Sequence, residues 1–589
     1  MTDATLALGI DLGTTNCALS SVPLGDKTAT PTPLAIPQTV APGETMAQEL
    51  LPSFLYVSVE AERTAGAFAL PWAESKEEVV GTYARKQGAA TPGRLISSAK
   101  SWLSYSGVDR RAEILPWEAP EGVPKMSPLA ASAHYLGHLK AAWDAANPET
   151  PLSSQEVVLT VPASFDAAAR ELTVEAAAQI GLQDNLRLLE EPQAALYAWL
   201  ADKGDAWRDE LNVGDTILVC DIGGGTTDFS LISVQEEDGV LQLERIAVGD
   251  HILLGGDNMD LALAYGVSAK LEQNGKRLDD WQMRGLIHGC REAKETLLAD
   301  ESRDTFPLAI ASRGSKLLGG TIRTELTRAE LEATLLEGFF PQVAADARPQ
   351  LPRRMGLTTL GLPYASDAAV TRHLAAFLAR AKSAEGMTYP TALLFNGGVT
   401  RSPVIRDRIL GVLKAWAEGA GTAGPRVLEG GHPDLAVSRG AAFYAQSRQQ
   451  GGLRIKGGTA RSYYIGVERN QMAVPGIPPK LDALCIAPFG MEEGTEVSLS
   501  EPFGLYVGEP VSFRFFGSSE RQEDQVGAVV DPSALAEVAP IETTLDGDEG
   551  TVVHVRLHAR VSEVGTLELS AVDIDSERRW KLSFDVRMN

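Results

Sequence analysis

The sequence has 589 residues, with 53 basic and 78 acidic side chains and a net charge of −25 at pH 7. A chain of this length exceeds what one hydrophobic core supports, so about two to four domains are expected. The negative charge disfavours nucleic acid and anionic membrane surfaces as main partners, and no apolar run reaches the ~18 residues typical of a membrane span.

The N-terminal segment MTDATLALGIDLG has no basic region before its short apolar run. It therefore predicts a first core strand rather than a signal peptide. The cysteines lie far apart and form no CxxC pair, at Cys17, Cys220, Cys290 and Cys485. This spacing argues against a disulfide framework or a zinc site and favours a reducing cytoplasm.

Up to about residue 450, apolar runs that end in glycine turns alternate with long amphipathic stretches. Strands are expected at 5–10, 157–161, 216–220 and 392–395, and helices at 127–145, 166–180, 257–273, 279–298 and 435–449. The mixture indicates an α/β body with strands buried on both faces. The segment 348–371 carries prolines and glycines and is interpreted as an insertion without an assigned role.

The sequence pattern changes after Gln450, where a glycine-rich basic connector, 451–458, leads into a region with little helical periodicity. Strands are expected there at 462–467, 496–499, 510–516, 551–559 and 566–572, separated by Gly, Pro and Asp turns. The predicted organisation is an α/β domain over 1–450, a linker over 451–461 and an all-β sandwich over 462–589.

Two segments of the α/β body resemble each other: LALGIDLGTTNCALS from Leu6 and ILVCDIGGGTTDFSLI from Ile217. Each is an apolar strand that ends in Asp, followed by a glycine turn, a Thr-Thr pair and a second apolar strand. Exposed amides and hydroxyls of such a hairpin can hold phosphate oxygens, and the carboxylate can hold the water shell of magnesium. One copy could be an ordinary tight turn, but two copies predict a pseudo-symmetric nucleotide cleft. No GxxxxGK[ST] motif is present.

The first ~450 residues resemble the ATPase domain of the DnaK-type (seventy-kilodalton heat-shock) chaperones of the actin-like superfamily. The motifs that carry the resemblance occur in order as GIDLGTTN (9–16), LPSFLYV (51–57), VVLTVPASFDAAAR (157–170), LLEEPQAALYA (188–198), VCDIGGGTTDFSLI (219–232), LGGDNMDLAL (254–263), AKETL (293–297), FNGGVTRSPVI (395–405) and HPDLAVSRGAA (432–442). The resemblance implies a two-lobed, actin-like (ribonuclease-H-like) ATPase domain that binds ATP or ADP with Mg²⁺.

The resemblance also implies roles for individual residues. Asp11 and Asp221 are similar to the carboxylates that organise magnesium through water. Asp228, with Thr226 nearby, stands where the family orients or deprotonates the attacking water. Lys100 matches the catalytic lysine near the γ-phosphate, although a surface lysine is the alternative. Glu191 matches the glutamate that senses phosphate, although it could instead be an ordinary charge at a helix start.

Further residues are implied to contact the nucleotide: Gly13, Thr14, Thr15, Gly223, Gly224, Gly225, Thr226, Gly255, Gly256, Lys294, Gly397, Gly398 and Arg401. Among them, Arg401 could cover the base with its planar guanidinium, and Lys294 could reach the ribose or remain on a solvated helix face. Pro162 and Arg170 match positions that relay nucleotide state to the other domain, although VPAS could instead be only a strand end.

The region after the connector is similar, more weakly, to the family's peptide-binding β-domain, through SYYIGVE (462–468) and VGTLELSAVDIDSERRWKLSF (564–584). The family's helical lid is not expected, because the sequence ends at Asn589 directly after this region. The connector lacks the family's acidic, leucine-rich character, so only Leu453 and Ile455 could dock. Ser101 and Glu295 replace cations that are usual near the nucleotide, which predicts weaker nucleotide affinity.

These features predict a chaperone-like protein that binds and slowly hydrolyses ATP to modulate binding of an unfolded or partner polypeptide. A J-type co-chaperone or a nucleotide-exchange factor are possible partners, and nucleic acid and membrane are not expected. Two alternatives stay open: a nucleotide-gated scaffold for one fixed protein partner, and a small-molecule kinase of the same superfamily.

Overall fold

The structure is a computed structural model that describes residues 4–74, 77–117, 119–237, 240–311, 321–350, 361–383, 386–387, 389–450, 455–456, 458–459, 461–469, 471–472, 479–492, 494–519, 521–562, 567–576 and 578–582. The helices are α1 (Thr82–Ala90), α2 (Ala99–Ser104), α3 (Pro128–Ala146), α4 (Ala167–Ala178), α5 (Glu191–Lys203), α6 (Trp207–Glu210), α7 (Gly256–Gln273), α8 (Asp280–Ala299), α9 (Arg328–Ala333), α10 (Val370–Arg380), α11 (Pro403–Gly419) and α12 (Ala436–Gln449).

The strands up to the connector are β1 (Leu6–Leu12), β2 (Asn16–Pro23), β3 (Thr32–Pro33), β4 (Ile36–Ala41), β5 (Glu44–Gln48), β6 (Leu51–Pro52), β7 (Leu55–Val57), β8 (Glu78–Val80), β9 (Leu95–Ile96), β10 (Glu156–Val161), β11 (Leu186–Glu190), β12 (Thr216–Ile222), β13 (Thr227–Glu237), β14 (Val240–Val248), β15 (Thr305–Ile310), β16 (Ile322–Thr327), β17 (Lys382–Ser383), β18 (Gly386–Met387), β19 (Ala392–Asn396), β20 (Arg426–Val427) and β21 (Ile455–Lys456). The later strands are β22 (Ser462–Glu468), β23 (Leu481–Ala487), β24 (Glu496–Ser498), β25 (Phe503–Val507), β26 (Pro510–Ser518), β27 (Val529–Val530), β28 (Ala536–Thr544), β29 (Thr551–Val561), β30 (Leu567–Asp573) and β31 (Arg579–Leu582). Every predicted helix and strand is present, with its ends displaced by no more than two residues.

Capping side chains explain why several helix starts could be predicted. The Ser127 hydroxyl accepts from the Ala130 amide at 3.0 Å, and the Asp166 carboxylate accepts from the Ala169 amide at 2.8 Å. Asp279 caps α8 in the same way within a capping box. These side chains satisfy amides that a helix start leaves without a partner.

Two sheets of the α/β body share one topology. In the first, β1 pairs antiparallel with β2 and parallel with β10, which pairs parallel with β11. In the second, β12 pairs antiparallel with β13 and parallel with β19, which pairs parallel with β20. The two hairpins with similar sequences therefore also occupy equivalent positions in two sheets of the same topology. The predicted mixed α/β character is confirmed.

Helix α12 packs against the first sheet and against α5 at unusually short range, and glycines make that approach possible. A Cβ on Gly9 of β1 would lie 2.1 Å from the Ser438 carbonyl oxygen of α12. A Cβ on Gly440 would lie 1.7 Å from the Ala194 carbonyl oxygen of α5. Side chains of α5, α12, β1 and β12 accordingly share one buried cluster, which ties the sheets together at the base of both hairpins.

The region after the connector forms two further sheets, with strand orders β27-β23-β22-β26-β28 and β24-β29-β30-β31, and β25 also pairs with β29. Side chains from both sheets share one buried cluster, for example Ile465 and Leu569. Ala167 and Ala168 of α4 belong to the same cluster, so this region packs against the α/β body.

The connector is described at Ile455, Lys456 and Gly458, whereas Leu453 lies outside the described residues. Ile455 and Lys456 form β21, which extends the second sheet by pairing parallel with β14. Ile455 is buried among side chains of α5 and α12. The insertion is described at 348–350 and 361–371, and its residues 361–369 precede α10. No helix among the described residues has the length and apolarity needed to cross a bilayer.

Candidate functional site

A cleft of about 1100 Å³ lies where the β1–β2 and β12–β13 hairpins face each other. It is lined by most of the residues to which the sequence assigned a nucleotide role: Asp11, Gly13, Thr14, Thr15, Lys100, Glu191, Asp221, Gly223, Gly224, Thr226, Gly256, Lys294, Gly397, Gly398 and Arg401. The fold therefore gathers side chains from widely separated segments around one cavity, which is large enough for a nucleotide.

The two hairpin tips touch across the cleft because Gly224 and Gly225 of the second turn leave room for the Thr14 and Thr15 side chains of the first. A Cβ on Gly224 would lie 2.2 Å from Thr15 Oγ1, and one on Gly225 would lie 2.8 Å from the Thr14 methyl group. Gly397 is also required, because its φ is +82° and a Cβ there would lie 2.6 Å from Asp221 Oδ1. The backbone amides at these turns are therefore open to close approach by phosphate oxygens.

Asp11 and Asp221 occupy equivalent positions at the ends of the central strands. Asp11 pairs with Thr160 of the parallel neighbour β10, and Asp221 pairs with Asn396 of β19. The Asn396 amide donates to Asp221 Oδ2 at 2.6 Å. Burial, reinforced by the Glu191 carboxylate, raises the pKa of Asp11 to about 7 and that of Asp221 to about 8. Both carboxyls thus need a cation before they ionise fully at neutral pH.

Lys100 of α2 and Glu191 at the start of α5 form a buried ion pair. Burial disfavours the lysine charge, but the carboxylates of Glu191 and Asp11 outweigh it and raise the pKa of Lys100. The side chain is therefore a fixed positive charge beside Asp11, in a position to neutralise an anion bound at the hairpins.

Several buried polar atoms of the cleft have no partner among the described residues, namely Thr15 Oγ1, Asn396 Oδ1 and Ser402 Oγ. Such atoms cost free energy unless a ligand or water satisfies them. No three His, Cys, Asp or Glu side chains of the described ranges lie close enough to hold a metal directly. The residues present therefore fit a hydrated magnesium ion that accompanies a nucleotide, held through its waters by Asp11 and Asp221.

At the opposite end of the cleft, the cations predicted to meet the nucleoside already have carboxylate partners. Lys294 lies 2.7 Å from Asp260 and donates to the Gly256 carbonyl at 2.9 Å. Arg401 lies 2.9 Å from Asp434, with 56% of its side chain exposed. These ion pairs fix both side chains at the cleft wall, where they can face a nucleoside without further ordering.

Three predicted residues lie beside the cleft rather than on its wall: Asp228, Gly225 and Gly255. Asp228 pairs with Asp221 across the hairpin and accepts a hydrogen bond from Ser164 at 2.8 Å. Gly255 packs directly against the backbone of the second hairpin turn. A Cβ there would lie 2.6 Å from the Gly223 carbonyl oxygen.

The predicted switch residue Arg170 belongs to a buried network that leads from the cleft to the connector. Arg170 donates to Glu190 at 2.7 Å, and Glu190 directly precedes Glu191. Arg245 of β14 also donates to Glu190 and reaches the Gly458 carbonyl at 3.0 Å. Pro162, the other predicted switch residue, starts the turn between β10 and α4, and its carbonyl accepts from the Phe165 amide at 3.1 Å.

Sequence reasoning missed other lining residues, including Arg85, Asp260, Arg291 and Asn396. For two of them the sequence contains a pattern from which the position could have been predicted. Asn396 ends an apolar strand just as Asp11 and Asp221 do, and Arg291 lies one helical turn before Lys294 on the same face. Arg85 and Asp260 had none, because only the tertiary fold brings α1 and α7 to this cavity.

The raised pKa values predict how magnesium nucleotide binding depends on pH. Below pH 7–8 the carboxyls of Asp11 and Asp221 are protonated, so a bound cation must first displace protons. Affinity should therefore rise from about pH 6 to about pH 9 and then level off. Calorimetry of magnesium ADP binding at neutral pH, in buffers with different ionisation heats, should detect proton release that falls in Asp221→Asn. Equal heats in all buffers would contradict the prediction.

Comparison with known proteins gives a family match and several similar proteins. The Hsp70 protein family model matches residues 7–348. The chain is 31% identical over 309 residues to the chaperone protein HscA homolog of Haemophilus influenzae (strain PittGG), covering 50% of this chain and 42% of the relative. It is 32% identical over 341 residues to the chaperone protein HscA of Serratia proteamaculans, covering 56% and 46%. It is 28% identical over 451 residues to the chaperone protein HscA homolog of Bordetella pertussis, covering 75% and 58%. The chain spans about half the length of the curated relatives it matches.

Proposed function

This chain belongs to the Hsp70 family, and from that premise we propose that it binds magnesium ATP between the two hairpins and hydrolyses it slowly. The observation that carries the proposal is the pair of matched hairpins, whose aspartates face one cleft beside the buried Lys100–Glu191 ion pair. The cleft would belong to a two-lobed, actin-like domain over 1–450, followed by a linker over 451–461 and a β-sandwich domain over 462–589.

The residues of the cleft have separate roles in the proposed phosphoryl transfer. Asp11 and Asp221 hold the hydrated cation, which neutralises phosphate charge when it is bound. The amides of the hairpin turns and the hydroxyls of Thr14, Thr15 and Thr226 hold phosphate oxygens. Lys100 neutralises the transferring group, and Asp228 orients or deprotonates the attacking water. Positioning and charge neutralisation of this kind supply most of the catalysis in phosphoryl transfer.

We further propose that nucleotide state modulates the binding of an unfolded or partner polypeptide by the β-sandwich domain. The relatives are named as chaperones, which supports this proposal. A sheet-rich domain can hold an extended segment through main-chain hydrogen bonds and apolar pockets. A J-type co-chaperone and a nucleotide-exchange factor are the partner classes that the family resemblance suggests.

The contacts of the connector support communication between the domains. The Ile455 amide donates to the Tyr197 hydroxyl of α5 at 2.8 Å, and α5 begins with Glu191. The Gly458 carbonyl accepts from Arg245, which is also bonded to Glu190. The residue before Glu191 and the helix that Glu191 begins are thus both hydrogen-bonded, directly or through Arg245, to described connector residues.

The experiment that tests the proposal measures ATP hydrolysis by the purified chain, with and without magnesium and with and without an unfolded peptide. We expect slow, magnesium-dependent turnover that the peptide stimulates. Ile455→Asp should abolish the stimulation, because it places a charge in the buried connector site, and it should lower magnesium ATP affinity much less.

The matched control is Val213→Asp, at a side chain that is 54% exposed, which should behave as the wild type. Absence of any magnesium-dependent hydrolysis would rule out the proposed activity. A wild-type hydrolysis rate that is the same with and without the peptide would rule out the coupling and favour the scaffold alternative.

A further inference from the structure

Two side chains outside the cleft wall hold the same oxygen of the Asp228 carboxylate. The Ser164 hydroxyl donates to Oδ1 at 2.8 Å, and His251 Nδ1 lies 3.2 Å from the same atom. No described residue donates to Oδ2. The Asp228 charge contributes to the raised pKa of Asp221 and of Lys100, so the carboxylate lies close to the phosphate end of the cleft.

His251 is held in place by its own loop. The loop returns from β14 to the start of α7 and is bonded to β13, because the Gly249 amide donates to the Phe229 carbonyl at 2.8 Å and Thr227 exchanges backbone bonds with Ile252. The His251 ring meets the Phe165 ring edge-on, with centroids 5.7 Å apart. Its Nε2 is buried without a partner among the described residues. The hydrogen bond to Asp228 is therefore the polar contact that orients the ring.

The insertion, which has no role assigned from the sequence, packs against this loop. The Ala365 amide donates to the Leu253 carbonyl at 3.2 Å, and Leu362 shares the buried cluster to which Leu253 belongs. Asp367 anchors the segment by accepting from the Gln350 amide at 2.7 Å and from Arg372. The described end of the insertion thus lies directly behind the loop that carries His251.

We propose that Ser164 and His251 are positioning residues that fix Oδ1 of Asp228 and leave Oδ2 to orient the attacking water. The inference rests on the proposed ATP hydrolysis and assigns part of its geometry. The water oxygen forms a bond to the γ-phosphorus, the bond to the β,γ-bridging oxygen breaks with its electrons on ADP, and the water proton passes to Oδ2. A carboxylate free to rotate would offer the water no fixed acceptor.

The test compares single-turnover ATP hydrolysis with the affinity for magnesium ATP. His251→Ala and Ser164→Ala should each lower the hydrolysis rate by about tenfold, as expected for one lost orienting hydrogen bond, while the affinity changes less than about twofold. His251→Asn should recover part of the rate, because its amide can donate near the Nδ1 position. Asp367→Ala should lower the rate less, and add little to His251→Ala.

A double-mutant cycle separates positioning from a general structural effect. In an Asp228→Asn background, His251→Ala should cause no further loss, because the carboxylate that it orients is gone. The matched control is His554→Ala, at an exposed histidine of β29, which should hydrolyse ATP as the wild type does.

Three results would overturn the inference while leaving the proposed function intact: wild-type hydrolysis by His251→Ala and Ser164→Ala, an equal loss of affinity and rate, or a full tenfold loss in the Asp228→Asn background. A wild-type chain that does not hydrolyse ATP would instead overturn the proposed function, and with it this inference.

Discussion

Replacing Lys100 with alanine is expected to lower the rate of ATP hydrolysis by about 10²–10³-fold, the usual loss when one preorganised charge is removed from a transition state. Lys100 is 5% exposed and paired with Glu191, so no water can take over its role in a fixed geometry. The loss should appear in single-turnover measurements, where product release does not limit the rate. Lys100→Arg should also be impaired, because the planar guanidinium does not fit an ammonium site.

Two further variants separate a loss of catalysis from other effects of removing a lysine: one at a second lysine and one at a second proposed catalytic residue. Lys140→Ala removes a partly exposed helix pair with Asp144, worth about 0.3–0.5 kcal/mol, and should leave turnover unchanged. Asp228→Asn should nearly abolish hydrolysis as Lys100→Ala does. If Lys100→Ala and Asp228→Asn both turned over ATP at the wild-type rate, the catalytic assignment would be wrong.

The parts of the site that could be predicted from the sequence have local signals. Asp11 and Asp221 each follow an apolar strand and precede a glycine turn, a pattern readable within ten or so residues. The helix starts at Ser127 and Asp166 are equally local, because a capping side chain bonds an amide three residues later. Lys100 and Glu191, 91 residues apart, were matched through the family resemblance, since no local pattern joins them.

The parts that could not be predicted depend on packing between distant segments. His251 meets Asp228 because a loop after β14 folds back on β13, and the insertion reaches that loop only in the folded chain. The sequence predicts that only Leu453 and Ile455 of the connector could dock, and no local pattern indicates where Ile455 binds. It pairs with β14 as an added strand, because main-chain hydrogen bonds need an open sheet edge rather than a particular sequence. The domain boundaries stay predictions.

Among the described glycines of the α/β body, Gly440 is expected to be the one where alanine destabilises most, because the added Cβ would lie 1.7 Å from the Ala194 carbonyl oxygen and 2.8 Å from the Ala198 amide nitrogen. Both obstacles are backbone atoms of α5, so no side chain can rotate away, and α12 must separate from α5. Overpacking in a core usually costs about 1–3 kcal/mol, and here we expect the upper end or more. Magnesium ATP affinity should fall as well, since α12 ties together the strands that carry Asp11 and Asp221.

The control for Gly440→Ala is the same substitution in another helix, Gly411→Ala in α11, where a Cβ would meet nothing within 4 Å. There the methyl group restricts the unfolded chain and favours the helix, so the variant should gain about 0.5–1 kcal/mol. Urea unfolding followed by tryptophan fluorescence would report both changes, because Trp199 of α5 is buried in the cluster that Gly440→Ala disturbs. Equal unfolding midpoints for the two variants would show that α12 and α5 can separate at little cost. The close crossing of these helices would then not be what holds the two hairpins in register.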